Sequence, residues 1–257
     1  METEIFVPVD STLYTVFFNN LGYTGSDDGR LDLFIYNADG VKNLEKRISC
    51  SEIPDSVRFV GPTRTFTAVA IANSPLDFNP AATERYDSME LLTYAFADDD
   101  PERPVMSGIC NIEPGSPCTI DLSPLMARVT LAEISNTMKG YVRLEDPRIR
   151  LENLNSDAEI MRFAGFRPSE TIASGSELKL PYDIGIFKQN PMSTLYCYPN
   201  DSPETTMGTP STVFVLECEI NGETHSFSVK LPPIGRNSQV FVDLTVNGPE
   251  SFEGKGY

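Results

Sequence analysis

Gln239–Val246 reads QVFVDLTV, and this stretch decides the fold class. Val240, Val242, Leu244 and Val246 share one face of an extended chain, with Phe241, Asp243 and Thr245 on the other. Side chains of a strand point alternately to opposite faces, so a period of two marks a strand buried on one side. Ser211–Ile220 (STVFVLECEI) and Ser226–Leu231 (SFSVKL) alternate likewise, with Asn221-Gly222 between them as a hairpin turn.

The same pattern extends upstream. Glu4–Val9, Thr12–Phe18, Leu31–Tyr36, Ser56–Val60, Thr65–Ala72, Leu91–Phe96, Val105–Ile112 and Cys118–Leu122 read as strands. Asn37-Ala38-Asp39-Gly40 closes one of them as a turn, and Gly22–Arg30 and Pro75–Arg85 read as loops. Ser123-Pro124 interrupts the series. Met126–Ile134 then starts a new one, Tyr141–Leu154 reads as a strand pair or a bulged strand around Pro147, and Tyr182–Phe187 and Thr194–Tyr198 as short strands. Ser156–Leu178 reads as a long polar loop and Asn200–Pro210 as a polar turn segment. Asn43–Cys50 and Ala82–Leu92 could each hold a turn or two of helix, and neither carries a long stripe of period 3.6. The expectation is an all-β protein of two β-sandwich domains, residues 1–124 and 125–257, placed by strand spacing and the Ser-Pro break.

Composition agrees with that class. Hydrophobic residues make up 40% of the 257, enough for real cores, and 17 Gly with 20 Pro suit a turn-rich β protein. The net charge of −17 makes nucleic acid a poor partner, because binding it takes Lys and Arg to displace counterions. An anionic membrane surface is disfavoured for the same reason. No apolar run approaches the roughly 20 residues of a membrane span. Met1-Glu2-Thr3-Glu4 has neither the basic nor the apolar region of an export signal, so the sequence reads either as cytosolic or as trimmed behind such a signal. None of the five cysteines forms a CxxC pair, so a zinc cluster is not supported. Cys110 and Cys118 flank a turn and could meet across a hairpin; the expectation is mostly free thiols, with Cys197 and Cys218 in apolar strands.

Chemistry-bearing motifs are missing. His225, the single histidine, stands at the start of a strand, and no GxSxG elbow, phosphate-binding loop or GxGxxG motif occurs. Glu145-Asp146, Glu217/Glu219 and Asp27-Asp28 could be named as carboxylate pairs, but Glu217 and Glu219 alternate with Leu216 and Cys218, as a solvated strand face does. Asp98–Asp100 reads as a solvated loop without the spacing of a calcium loop. Gly235-Arg236-Asn237 reads as a turn. No catalytic, cofactor-binding or metal-binding residue is nominated, and no cofactor is expected.

Several segments together resemble the fimbrillin-type proteins of Bacteroidetes. They are Leu31–Gly40 (LDLFIYNADG), Thr67–Asn73 (TAVAIAN), Val105–Gly108 (VMSG), Ile120–Val129 (IDLSPLMARV), Thr194–Asn200 (TLYCYPN) and Arg236–Gly248 (RNSQVFVDLTVNG). Their order across the chain is most similar to fimbrial anchor and accessory subunits. The resemblance implies two tandem transthyretin-like Greek-key sandwiches and a place in type V pili. It implies other fimbrial subunits as partners, joined by strand exchange, and attachment to the outer membrane through a lipidated cysteine ahead of Met1. Two features depart from the pattern: no lipobox cysteine stands in this sequence, and the Gly-rich, charged tail Pro249–Tyr257 (PESFEGKGY) does not read as a strand ready for donation. The tail favours a terminal position over a polymerising shaft. In shaft subunits of that family the first strand is removed at a basic residue. Here the first basic residue is Arg30, after two strands, which favours a self-sealed N-terminal domain and an acceptor groove in the C-terminal one. The alternative function is a glycan- or ligand-binding surface lipoprotein, for which Tyr94/Phe96 or Tyr196/Tyr198 would form the aromatic platform; a β-sandwich hydrolase is a third.

Overall fold

The structure is a computed structural model and describes residues 10–20, 29–75, 77–201 and 210–257. The expected strand at Glu4–Val9, most of the Gly22–Arg30 loop, Asp27-Asp28 and most of the Asn200–Pro210 segment lie outside the described residues.

The chain divides into two compact units that change over at Leu125/Met126, with Ala95–Asp98 belonging to the second and Glu159–Met161 to the first. Among the described residues eight strands precede the changeover: β1 (Ser11–Asn20), β2 (Leu31–Asn37), β3 (Leu44–Cys50), β4 (Ser56–Pro62), β5 (Phe66–Ala72), β6 (Thr93–Ala95), β7 (Met106–Ile112) and β8 (Cys118–Pro124). Ten follow: β9 (Ala127–Asn136), β10 (Glu145–Asn155), β11 (Asp157–Glu159), β12 (Thr171–Ser174), β13 (Leu178–Lys179), β14 (Ser193–Cys197), β15 (Val213–Ile220), β16 (Glu223–Lys230), β17 (Gln239–Gly248) and β18 (Ser251–Gly256). The expected all-β sandwich class holds.

In the first unit the order is β3-β2-β5-β7-β8-β1-β4. β7 and β8 meet in register only at Met106↔Pro124 and Ser107↔Ser123, so the sheet folds there into two layers. Between the layers lies a core of Tyr14, Val16, Leu33, Ile35, Phe59, Phe66, Met106 and Ile120, among others. β5 is buried along its whole length, so its other face is covered too. In the second unit β12-β10-β15-β16 faces β14-β9-β17-β18, and the core between them takes Leu131, Ile149, Phe214, Phe227 and the four apolar residues Val240, Val242, Leu244 and Val246.

The two units share a connectivity. In each, the first described strand runs parallel to a late one, β1 beside β8 and β9 beside β17, and carries an antiparallel strand on its other side, β4 or β14. The second layers correspond as well, β3-β2-β5-β7 with β12-β10-β15-β16. Among the described residues β18 has no counterpart in the first unit.

Several segments differ from their sequence reading. Asn43–Cys50 holds no turn of helix: Leu44–Cys50 is an edge strand that pairs with β2 alone, with Glu45, Lys46 and Ser49 exposed. Ser156–Leu178 is not one long loop, since Thr171–Ser174 and Leu178–Lys179 both hydrogen-bond to β10. Tyr182–Phe187 forms no strand; its backbone pairs with a neighbour only at the bridge Ile184↔Leu144 among the described residues. Leu91–Phe96 reduces to three strand residues before a 3-10 turn at Phe96–Asp98. The short helix at Tyr86–Met89 falls within Ala82–Leu92, where a turn or two of helix was expected, whereas that at Pro80–Thr83 lies inside the expected loop Pro75–Arg85 and only overlaps the start of that span. β10 is the bulged strand around Pro147, with Asp146 at φ 47° in the bulge. The tail is also a strand.

Candidate functional site: the strand edges of the second unit

Ser251–Gly256 pairs antiparallel with β17, from Gly248↔Ser251 to Val242↔Gly256, and Tyr257 exchanges both backbone hydrogen bonds with Phe241 at 3.0 and 2.8 Å. Its inward positions are Phe252, Gly254 and Gly256. Phe252 meets Phe227 of β16 edge to face, centroids 5.4 Å apart. A Cβ at Gly254 would overlap Val229, and one at Gly256 would come within 2.9 Å of Leu231 Cδ2. β18 therefore seals the seam between the layers almost wholly with main chain. In the first unit, pairing between β7 and β8 closes that seam. Glycine and charge concealed this strand in the sequence, since only residues without a Cβ fit beneath Val229 and Leu231.

Terminal strands of a sheet present unpaired N–H and C=O groups, and charge usually protects them. β3 carries Glu45, Lys46 and Arg47, β4 carries Arg58, and β18 carries Glu253 and Lys255. β14 (STLYC) carries no charge and is half-buried, with Thr194 Oγ1 2.8 Å from Thr130 Oγ1 of β9. β12 (TIAS) is uncharged as well, but it is shorter and more exposed, so it offers an incoming strand less apolar surface. Among the described strands of the second unit the outer edge of β14 thus carries the least charge for the apolar surface it offers.

The carboxylates named from sequence serve as ion-pair partners. Arg150 donates to Glu217 at 3.0 Å and to Glu152 at 3.1 Å on the outer face of β10 and β15. Asp146 holds Lys179 and Arg148, and hydrogen bonds from these two cations keep its pKa below the usual carboxylate value. A general acid needs the opposite shift. Glu145 stands opposite Glu219 at an exposed edge. His225 is half-buried opposite Cys218. Asp99 Oδ1 accepts from the N–H groups of Asp100 and Val105, and Asp100 Oδ1 from that of Glu102, so this acidic loop caps itself. Among the described residues no group of three His, Cys, Asp or Glu could hold a metal. Arg236 lies in the turn before β17, its guanidinium 4.5 Å over Phe163, and burial lowers its pKa to about 9.

The cysteines divide. Cys110 and Cys118 form a disulfide across the β7–β8 hairpin, the pairing that the sequence left open, while Cys50, Cys197 and Cys218 are free, in line with the expectation of mostly free thiols. The aromatic pairs named from sequence are not platforms. Tyr94 and Tyr198 are buried, Phe96 packs edge to face on Tyr198 at 5.3 Å, and Tyr196 is half-buried opposite Arg128. Exposed rings occur elsewhere, at Tyr141, Tyr182 and Phe187, in loops flanked by Gly or Pro that strand patterning passes over.

No protein-family model and no curated protein matches the sequence. Solved structures do share the fold. A candidate cell adhesion protein from Bacteroides eggerthii superposes with a TM-score of 0.69 at 14% identity, over 98% of this chain and 96% of that one. The tip fimbrial protein Mfa3 from Porphyromonas gingivalis, with C-terminal truncation, gives 0.65 at 12% identity, over 96% and 98%. A fimbrilin from Porphyromonas gingivalis W83 gives 0.64 at 13% identity, over 93% and 91%. The chain thus has the fold of Bacteroidetes fimbrial and cell adhesion proteins along nearly its whole length.

Proposed function

We propose that this chain is a structural subunit of a bacterial cell-surface fimbria, an anchor or accessory protein of the outer membrane that works by β-strand addition and not by catalysis. The observation that carries the reading is β18. The second unit is completed by a strand that contributes hydrogen bonds to β17 and one half-exposed ring, and very little other side chain. Main-chain pairing on a sheet edge with side chains set in alternate positions is the physics of strand addition between molecules. Here the chain performs it on itself.

A tail seated in its own sandwich supports a terminal position, where a subunit receives a strand and does not pass one on. The uncharged edge of β14 is the place we assign to the incoming strand. Attachment to the membrane would run through a lipidated cysteine ahead of Met1. Deleting the gene in the source bacterium tests the proposal. Loss of surface fibres, or their release into the medium, is the expected result; fibres unchanged in number and attachment would refute it.

A further inference from the structure

The β7–β8 hairpin does not pair along its length. Among the described residues its strands are in register only at Met106↔Pro124 and Ser107↔Ser123. A regular antiparallel ladder continued from there would set Cys110 opposite Ile120. Cys110 is bonded instead to Cys118, two residues nearer the turn. Between these points the strands cross closely: a Cβ at Gly108 would come within 2.4 Å of the Asp121 carbonyl oxygen. Beyond the crossing each strand stays with its own layer. Ile109–Ile112 pairs with Phe66–Val69 of β5, and Cys118–Asp121 with Val16–Asn19 of β1. Each has a second edge turned to the seam, and the disulfide is the covalent tie across it.

These two edges lack the usual protection. Ile109-Cys110-Asn111-Ile112 and Cys118-Thr119-Ile120 carry no charge, whereas the outer strands β3 and β4 do. An added strand needs about 4.8 Å on each side, and the Cα atoms of Cys110 and Cys118 stand 6.8 Å apart, so the bonded seam admits none. The second unit shows the other condition. There β16 and β17 hold the places of β7 and β8, and neither contains a cysteine. A strand, β18, closes that seam, hydrogen-bonded to β17 and packed on Phe227 and Val229 of β16.

We propose that Cys110–Cys118 is a redox latch on the first unit, holding the seam closed when oxidised and letting it open between Gly108 and the turn when a dithiol reduces it. A thiolate of the reductant attacks one sulfur to form a mixed disulfide, and its second thiol displaces the cysteine. Two electrons and two protons pass to the protein, and the reductant leaves as its own disulfide. Cys110 and Cys118 are both partly exposed, so the attack needs no unfolding. Opening uncovers Ile112 and Ile120, which are wholly buried in the closed seam, and frees the uncharged edges of β7 and β8 for strand pairing. The inference stands apart from the fimbrial reading, because it concerns the first unit alone and uses no residue of β14 or β18.

Hydroxyl-radical labelling of side chains, read by mass spectrometry, tests it on the whole chain, oxidised and as the Cys110→Ser, Cys118→Ser double variant. The expected result is a several-fold rise at Ile112, Ile120 and Phe66 in the variant. Phe34, on the other face of β2, and Phe214 of the second unit should keep their native labelling. In parallel, dithiothreitol should reduce the bond in native buffer faster than the protein unfolds. Unchanged labelling at the three seam residues would overturn the proposal. So would a rise that Phe34 shares equally, which marks general destabilisation, or reduction no faster than unfolding.

Discussion

Gly254 lies directly beneath Val229, so close that no side chain fits at position 254 while β18 stays on β17. Gly254→Val should therefore expel the strand, at a cost of about 1–3 kcal/mol. The measurement is the unfolding temperature together with amide hydrogen exchange in Ser251–Gly256. Lys255→Ala, on the outward face, serves as the control. Unchanged exchange in Gly254→Val would show that β18 is not seated on the seam.

Cys110 and Cys118 are eight residues apart in sequence and cross-link β7 to β8. Closing so short a loop removes unfolded-state entropy worth about 2–3 kcal/mol. The Cys110→Ser, Cys118→Ser double variant should melt several degrees lower, and reducing agent should lower the native protein equally while leaving the variant unaffected. Equal melting of native and variant proteins would mean that the pair is not bonded in solution.

Asp32 is 1% exposed and accepts from Arg30 at 2.9 Å, from Arg47 at 2.9 and 3.0 Å and from Ser49 Oγ at 2.5 Å. Removing one member of such a buried network leaves charge without its counterpart. Arg30 and Arg47 are each about a third exposed and regain water, so Asp32→Ala should destabilise the first unit by about 1.5–3 kcal/mol. Denaturant unfolding measures this, and a loss below about 1 kcal/mol, the range of exposed ion pairs, would contradict it.

Burial pushes the Cys197 and Cys218 thiols up to about 12, and burial, with Glu90 adding to it, pushes the Tyr86 hydroxyl up to about 12. The native state holds these protons over a range where the unfolded chain has lost them. The unfolded thiols ionise near pH 8.5 and the unfolded tyrosine near 10. The stability they contribute is complete below those values and falls as pH rises towards 12. The unfolding temperature should decline from about pH 9 upwards, and iodoacetamide at pH 8 should leave Cys197 and Cys218 unmodified in the native protein. A flat alkaline profile, or rapid labelling of both, would contradict these placements.

Much of the fold was readable where burial follows one rule. In β17 a single face is core, so Val240 to Val246 declare the strand, and Asn221 and Gly222, at φ 52° and 82°, supply the hairpin turn. β18 escaped because its positions are set by what lies above it, not by its own hydrophobicity. β3 escaped because an edge strand keeps its charges as protection. Thr171–Ser174 became a strand only by pairing with the distant Glu152–Asn155, a long-range contact that no local pattern contains. The edge of β14 could be read as a strand from TLYCY, but its exposure as a template depends on strand order. The exposed rings of Tyr141, Tyr182 and Phe187 were invisible for another reason: an apolar residue in a turn looks the same in sequence whether it packs inward or stands in water.

Immunogold microscopy of the source bacterium with an antibody to this chain tests the fimbrial assignment most directly. Gold confined to the cell-proximal ends of surface fibres is the expected result. Gold along the fibres or at their distal ends would contradict the anchor position, and uniform surface label without fibres would contradict the fimbrial role itself.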